Sequence, residues 1–252
     1  MIYDFQRASM LKRVPAWLLD IILLITLATG FMAGLSYVLD VDSQLQKLDA
    51  IYVKYETEYG IDFTKTSEDL AKLPEEELAK YEAAAAALDK DTEAQATYQL
   101  LLNLTLITLG VGILGAFLLL EFLVPLLLKN GQTLGKKVFG VALMRKDGIK
   151  VTTFMMFARS ILGKYTVETM VPVLFIVGLF FNAVGGIGLI LLVVFLLAQV
   201  IVPFATRDKT AFHDLMACTV AVDLSSQMIF DTVEEQEEYH KRLHEENTAQ
   251  AD

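Results

Sequence analysis

The apolar runs of this chain are too long for a soluble domain of 252 residues. The longest, 166–204, extends over 39 residues, and two others lie at about 15–39 and 99–128. An α-helix needs about 20 apolar residues to cross the hydrocarbon layer of a bilayer. The longest run is therefore predicted to cross twice, and the chain is predicted to be an all-α membrane protein with four transmembrane helices.

The third and fourth predicted helices are short. The sequence Phe181–Gly186 reads FNAVGG and predicts a tight turn between spans near 167–183 and 187–204. Each span has about 17–18 residues, which is the lower limit for a crossing. A short hairpin that enters and leaves on one side is therefore an alternative to two full crossings.

Composition narrows the class of protein further. Hydrophobic residues make up 54% of the chain, yet the formal net charge is −10. Acidic blocks exposed to water must therefore separate the apolar runs, and the acidic balance argues against a nucleic-acid partner. One cysteine, Cys218, excludes an internal disulfide, and three histidines leave little for a zinc site. We expect no metal and no cofactor.

The basic residues predict the orientation in the membrane. They precede the first apolar run, lie between the second and third runs, and follow the fourth: Arg7, Lys12 and Arg13; Lys129, Lys136, Lys137, Arg145, Lys146, Lys150, Arg159 and Lys164; Arg207 and Lys209. By the positive-inside rule these three regions, and both termini, are predicted to be cytoplasmic. Residues 40–97 carry fifteen acids and six lysines and are predicted to lie outside.

The outer segment 40–97 is predicted to be a helical hairpin. Apolar and aromatic residues recur at helical spacing in its first half: Leu45, Leu48, Ile51, Tyr52, Tyr55 and Tyr59. Gly60 is a natural stop, and a second helix is expected from Pro74, with three glutamates in its first turn and a break near Asp91. The alternative is a solvated acidic spacer.

These features divide the chain into six predicted segments. They are an N-terminus with the first membrane helix (1–39), the acidic extracytoplasmic helical segment (40–97), the second membrane helix (98–128), a basic loop with a small cytoplasmic β-hairpin element (129–165), the third and fourth membrane helices (166–204), and a closing His-Asp segment with an acidic tail (205–252).

The basic loop contains a turn signal. The sequence 131–153 reads GQTLGKKVFGVALMRKDGIKVTT, in which Asp147-Gly148 follows a valine-rich run and suits a primed β-turn. The sequence 210–223, TAFHDLMACTVAVD, ends in a similar β-like run and could pair with it.

Three stretches, in order, resemble the RDD family of bacterial membrane proteins, which is named for one arginine and two aspartates. Arg13 and Asp20 match the arginine and aspartate of the first helix, and GQTLGKKVFGVALMRKDG matches the G-x-T-x-G-K segment. RDKTAFHDLMACTVAV matches the closing segment, which makes Asp214 the second aspartate. The resemblance covers roughly 1–35 and 120–223. It implies a bacterial cell membrane protein and, for some members, sodium/proton exchange.

Polar side chains of three predicted helices lie at one depth. Asp20 is seven residues past Arg13, whereas Glu121 and Gln199 each stand eight residues before a basic residue. At 1.5 Å per residue, all three are about 10–12 Å inside the cytoplasmic edge. Glu168 is shallower. Intramembrane acids normally face the bundle interior and pair there.

Two interpretations of this polar layer remain open. In the first, Asp20 pairs with Arg13 or Arg159, Glu121 pairs with a lysine, and the network only fixes helix packing. In the second, Asp20 and Glu121, with Gln199 and Glu168 nearby, bind a monovalent cation or shuttle protons in a secondary transporter. A pocket for a small solute or a lipid head group is a further alternative. Four helices are few for a carrier, so transport would need a homo-oligomer.

Other charged residues complete the predicted network. They are Arg13, Arg159, Lys136, His213 and Asp214, with Asp214 expected to accept hydrogen bonds from the backbone or from the Lys136–Lys137 loop. We do not expect an enzyme, because adjacent residues on a strand point to opposite faces and no activated serine or cysteine accompanies the His213–Asp214 pair.

Overall fold

The computed structural model describes residues 6–128, 130–180, 183–206 and 210–249. Within them, in chain order, lie α1 (Met10–Val38), α2 (Val41–Tyr59), α3 (Ser67–Leu70), α4 (Glu75–Lys90), α5 (Thr92–Leu127), α6 (Leu134–Val138), β1 (Val141–Arg145), α7 (Thr153–Phe180), α8 (Gly185–Ala205), α9 (Phe212–Met216), β2 (Thr219–Asp223) and α10 (Val233–Ala249).

The prediction of four membrane helices is confirmed. Helices α1, α5, α7 and α8 are each long and apolar enough to cross a bilayer, with 29, 36, 28 and 21 residues. All four begin earlier than predicted, at Met10, Thr92, Thr153 and Gly185 rather than near 15, 99, 167 and 187. The α1 helix starts at Met10, so Pro15 lies in its second turn, and α7 starts at Thr153, ahead of the charged residues that hid its first half from a hydropathy reading.

The connection between α7 and α8 is only partly described. Phe181 and Asn182 of the predicted turn lie outside the described residues, as do Lys129, Arg207 and Lys209 of the basic clusters. Gly185 begins α8 with φ of +54°, a conformation that glycine adopts without strain. The helices on either side are long enough for two full crossings, as the first of the two sequence interpretations requires.

The chain forms two compact units, one of which is Gly30–Gly112. The other contains the sheet. Strands β1 and β2 pair antiparallel, with Leu143 opposite Ala221. The predicted Asp147-Gly148 turn is present, but it closes only one bridge, Met144 to Lys150. The pairing partner of β1 is therefore the closing segment, which the sequence had offered as a second partner.

Both faces of the small sheet are buried, which explains its continuous rather than alternating apolar sequence. Val141, Leu143 and Ala221 face one cluster, against which Phe122 of α5 packs. Ala142, Met144, Val220 and Val222 face the other cluster, which Ile229 ahead of the acidic tail helix α10 covers.

The unit Gly30–Gly112 contains the predicted helical hairpin. Gly60 ends α2 with φ of +65°, Pro74 caps α4, and Asp91 separates α4 from α5. An aromatic series joins the two arms, with ring centroids 5.5 Å apart for Tyr52–Phe63 and 5.4 Å apart for Phe63–Tyr81. The Tyr55 hydroxyl donates to Asp91 at 3.0 Å. A solvated spacer would not form these contacts.

Candidate functional site

The carboxylate of Asp20 accepts hydrogen bonds from the loop that precedes β1. Its Oδ2 accepts a hydrogen bond from the Thr133 hydroxyl at 2.5 Å, and its Oδ1 accepts one from the Gly135 backbone N–H at 2.7 Å. Asp20 is 8% exposed, and Thr133 is 1% exposed. A buried carboxylate requires such donors, so the first membrane helix and the loop stabilise one another.

The glycines of the G-x-T-x-G-K segment permit this contact. Gly131 has φ of +61°, and a Cβ there would lie 3.1 Å from Leu143 Cβ. A Cβ on Gly135 would overlap the carbonyl oxygen of Ala16 and stand 2.8 Å from Asp20 Oδ1. Gly135 therefore lets the loop approach α1 at backbone distance.

Lys136 places a cation beside the same aspartate. Its Nζ lies 3.9 Å from Asp20 Oδ2 and 3.2 Å from the Thr133 hydroxyl, and its side chain is 12% exposed. Burial, together with repulsion from Lys164 and Arg159, lowers the pKa of Lys136 to about 7. The ammonium group can therefore lose its proton near neutral pH.

Two membrane helices depart from α-helical winding where they carry charge. Leu118–Leu123 of α5 and Ala158–Met170 of α7 are π-helical. Glu121 lies on the first stretch and pairs with Lys164 on the second at 2.6 Å. The Ser160 hydroxyl donates to the backbone carbonyl of Glu121 at 2.5 Å. Such π-helical segments are frequent at functional sites.

A second ion pair connects α7 to the closing segment. Arg159 Nε lies 2.7 Å from Asp214 Oδ1, and both side chains are 2% exposed. The Thr219 hydroxyl also donates to Asp214, at 3.0 Å. Burial alone would raise the pKa of Asp214, but Arg159 outweighs it and holds that pKa well below its usual range. The described hydrogen bonds of Asp214 thus come from Arg159 and Thr219 rather than from the backbone, and the charge of Lys136, in the loop expected to contact it, also lowers its pKa.

His213 links the same pair to Glu168. Its Nδ1 lies 2.8 Å from Glu168 Oε2, and its Nε2 lies 2.9 Å from Arg159 Nη2. Burial lowers the pKa of His213, so the imidazole is neutral and its Nε2 can accept from the guanidinium. Both His213 and Asp214 lie on the short helix α9, not on a strand as the sequence argument assumed.

The described contacts join the predicted site residues in two pairs. Asp20 and Glu121 border one shallow depression, lined also by Leu23, Leu120 and Leu134, which has no room for a water molecule. Gln199 contacts another predicted site residue, since its side-chain amide donates to the backbone carbonyl of Glu168 at 3.2 Å.

Arg13, which matches the arginine of the family motif, interacts with the Arg159–Asp214 ion pair. Arg13 interacts electrostatically with Asp214 and Arg159. The described hydrogen bonds of Asp20 come from the loop, and the pairing of Asp20 with Arg13 or Arg159 stays a prediction.

Sequence reasoning missed Thr133, Gly135 and Ser160. The first two stand in the stretch GQTLGK, and its match to the G-x-T-x-G-K segment was the one signal that could have pointed to them. No local signal marks Ser160, which follows Arg159 on a helix that hydropathy did not detect.

Four long apolar helices with charged side chains buried between them define a multi-pass α-helical membrane protein. The chain belongs to the RDD family, whose model matches residues 7–218. No curated protein and no solved structure matches it.

Proposed function

We propose that this RDD family protein is a secondary transporter that exchanges a monovalent cation for a proton. The exchange site is the cluster of Asp20, Glu121, Lys136 and Lys164. One observation carries the proposal: two buried carboxylates border one depression, each has a lysine as counter-ion, and Lys136 has a pKa of about 7.

The charges of this cluster give a one-for-one exchange. With both lysines protonated, the two carboxylates are neutralised. When Lys136 loses its proton, the cluster carries one net negative charge, which a bound monovalent cation neutralises. Protonation of Lys136 then releases the cation. The cluster is buried, so an uncompensated charge is costly and the two events are coupled.

The cost of the arrangement supports a functional rather than a purely structural purpose. Buried ion pairs are often no more stable than apolar residues of the same volume. Nη1 of Arg159 is buried, and none of the described residues forms a hydrogen bond with it. Incomplete networks of this kind are expensive to keep and are concentrated at functional sites.

Exchange requires movement, because the depression has no room for a water-sized ion. Separation of Lys164 from Glu121 would open it. Both residues lie on π-helical segments, whose winding is less stable than that of an α-helix. A shift in the helical register of these segments would supply the movement.

Replacement of Lys136 by arginine tests the proposal. Arginine keeps the positive charge but does not lose its proton at physiological pH. In vesicles with a sodium or potassium gradient and an internal pH dye, Lys136→Arg should abolish exchange. Lys146→Arg, at an exposed lysine of the same loop, is the matched control and should retain it. The native protein should show an activity midpoint near pH 7.

Two results would contradict transport. One is an absence of cation-driven pH change in the native protein with every alkali cation tested. The other is full activity of Lys136→Arg. Thermal unfolding of both variants in detergent distinguishes loss of exchange from loss of the fold.

The second candidate is a non-enzymatic scaffold or regulatory protein in which the charges only hold the parts together. The close packing around Asp20 and Glu121 favours it, as does the lack, among the described residues, of a His, Cys, Asp and Glu group suited to a metal. On this proposal, Asp20→Asn lowers the melting temperature, since Gly135 and Thr133 lose a charged acceptor. On the transport proposal, it abolishes exchange at nearly unchanged stability.

We also propose a bacterial cell membrane location with both termini cytoplasmic, supported by the distribution of lysine and arginine. In a Cys218→Ser background, an impermeant thiol reagent applied from outside should label Glu77→Cys and not Lys146→Cys, both of which are exposed. The reverse pattern would contradict the orientation.

We also propose a homo-oligomer, because four helices are few for a carrier. Native mass spectrometry measures the number of subunits.

A further inference from the structure

The short helix α6 packs against residues 16–20 of the first membrane helix, α1. Its Gly135 N–H donates to Asp20 at 2.7 Å, and Gly135 abuts the carbonyl of Ala16. Asp20 stands ten residues into the apolar helix α1, one turn beyond Trp17, which is 56% exposed. Exposed tryptophan is typical of the membrane interface. A helix in contact with residues 16–20 must therefore lie at that interface or below it.

The opposite face of α6 is apolar and points away from the protein. Leu134 is 38% exposed and Val138 is 68% exposed, and Lys137 is exposed beside them. The three positions are spaced i, i+3 and i+4, so they share one face of the helix. Gly135 and Lys136, on the other face, contact the charge cluster.

We propose that this face of α6 binds an anionic phospholipid, with Leu134 and Val138 against the acyl chains and Lys137 at the head group. A lysine at this level extends its ammonium to the interface, where it attracts anionic head groups. The site adjoins the proposed exchange site, because Leu134 also lines the depression beside Asp20 and Glu121, but lipid binding does not depend on cation exchange.

Depth-dependent quenching tests the apolar half of the site. Trp17 is the one tryptophan of the chain, so Trp17→Phe gives a silent background. In that background, Val138→Trp should be quenched by phosphatidylcholine brominated on its acyl chains. The control Ser226→Trp, at an exposed loop position, should be quenched by aqueous acrylamide instead. Leu134→Trp is a second probe in case Val138→Trp does not fold.

The proposal is overturned if the probes on α6 respond to acrylamide as strongly as Ser226→Trp and show no quenching by brominated lipid. That result would place α6 in water.

The charged half is tested with full-length protein in nanodiscs that contain spin-labelled phosphatidylglycerol. Lys137→Gln should weaken association of the labelled lipid about fivefold, as expected for one lysine at a membrane surface. Lys241→Gln, on the exposed tail helix, should not change it. Equal association in both variants, or displacement by inorganic phosphate alone, would show that Lys137 does not bind the lipid.

Discussion

The helical hairpin of residues 40–97 and the charge layer, which is the set of buried charged residues that includes Asp20, Glu121, Arg159 and Asp214, both contain acids but use them differently. In the hairpin, an exposed pair such as Glu76–Lys80 is 3.2 Å apart, with side chains 85% and 52% exposed. In the layer, Arg159 and Asp214 are 2.7 Å apart and both 2% exposed. A surface pair contributes at most about 1 kcal/mol, whereas removal of one partner of a buried pair costs several. Burial, rather than composition, gives each acid its role.

The largest expected effect comes from breaking the buried pair. Asp214→Ala leaves the Arg159 guanidinium buried without its carboxylate and should lower the free energy of unfolding by about 3–5 kcal/mol. Glu76→Ala, in the hairpin, should change it by less than about 0.5 kcal/mol. Thermal or denaturant unfolding in detergent measures both.

The double variant Arg159→Met with Asp214→Leu sharpens this test. It removes both charges at similar volume and should recover much of the lost stability. Equal losses for Asp214→Ala and Glu76→Ala would contradict the distinction between the two regions.

The two regions also differ in how well the sequence predicted them. In the hairpin, local signals such as Gly60, Pro74 and Asp91 marked each helix end, and the structure has those ends. Signals of this kind depend only on neighbouring residues, so they can be read from the sequence alone.

In the charge layer, the predicted residues were the right types, but their partners were not predictable. Asp20 meets Gly135 across 115 positions of sequence, and Arg159 meets Asp214 across 55. Counting residues predicted one level for Asp20 and Glu121, which border one depression. A helix's rotation about its axis is set by packing, so the hydrogen bond of Gln199 to the backbone of Glu168 could not be read from residue counts.

The next largest effect is expected where the loop that contains Gly135 contacts α1. Gly135→Ala would force a methyl group against Ala16 and Asp20 and should cost about 1–3 kcal/mol. Gly34→Ala, in α1 where no atom lies within 4 Å of the new Cβ, should be neutral or stabilise by up to about 1 kcal/mol. Melting temperatures of the two variants measure the difference. Comparable destabilisation by both would mean that Gly135 does not hold the loop at backbone distance.

His213 should make the layer sensitive to acid. Because its pKa in the folded protein is lowered, the unfolded chain binds more protons once the pH falls below about 6.5, and stability then decreases. The slope is at most about 1.4 kcal/mol per pH unit and ends at the folded pKa. Glu168, Arg159 and Asp214 surround the ring, and protonation removes the acceptor for Arg159.

Unfolding measured between pH 7.5 and 5 should therefore show a smaller slope for His213→Asn than for the native protein. His244→Asn, on the exposed tail helix, is the matched control and should behave as the native protein does. An unchanged slope in His213→Asn would assign the acid response to other groups.

The smallest expected effect concerns two residues with positive φ, one beside β2 and one at the start of the hairpin. Cys218, before β2, has φ of +52°, and Asp40, before α2, has φ of +51°. Cysteine is disfavoured in this conformation, so Cys218→Gly should stabilise the protein by up to about 1 kcal/mol. Aspartate tolerates it better, and Asp40 Oδ1 also accepts a hydrogen bond from Ser43 at 2.9 Å. Asp40→Gly should therefore give no gain or a slight loss. If calorimetry shows that Asp40→Gly stabilises more than Cys218→Gly, side-chain hydrogen bonding does not offset strain at the start of the hairpin.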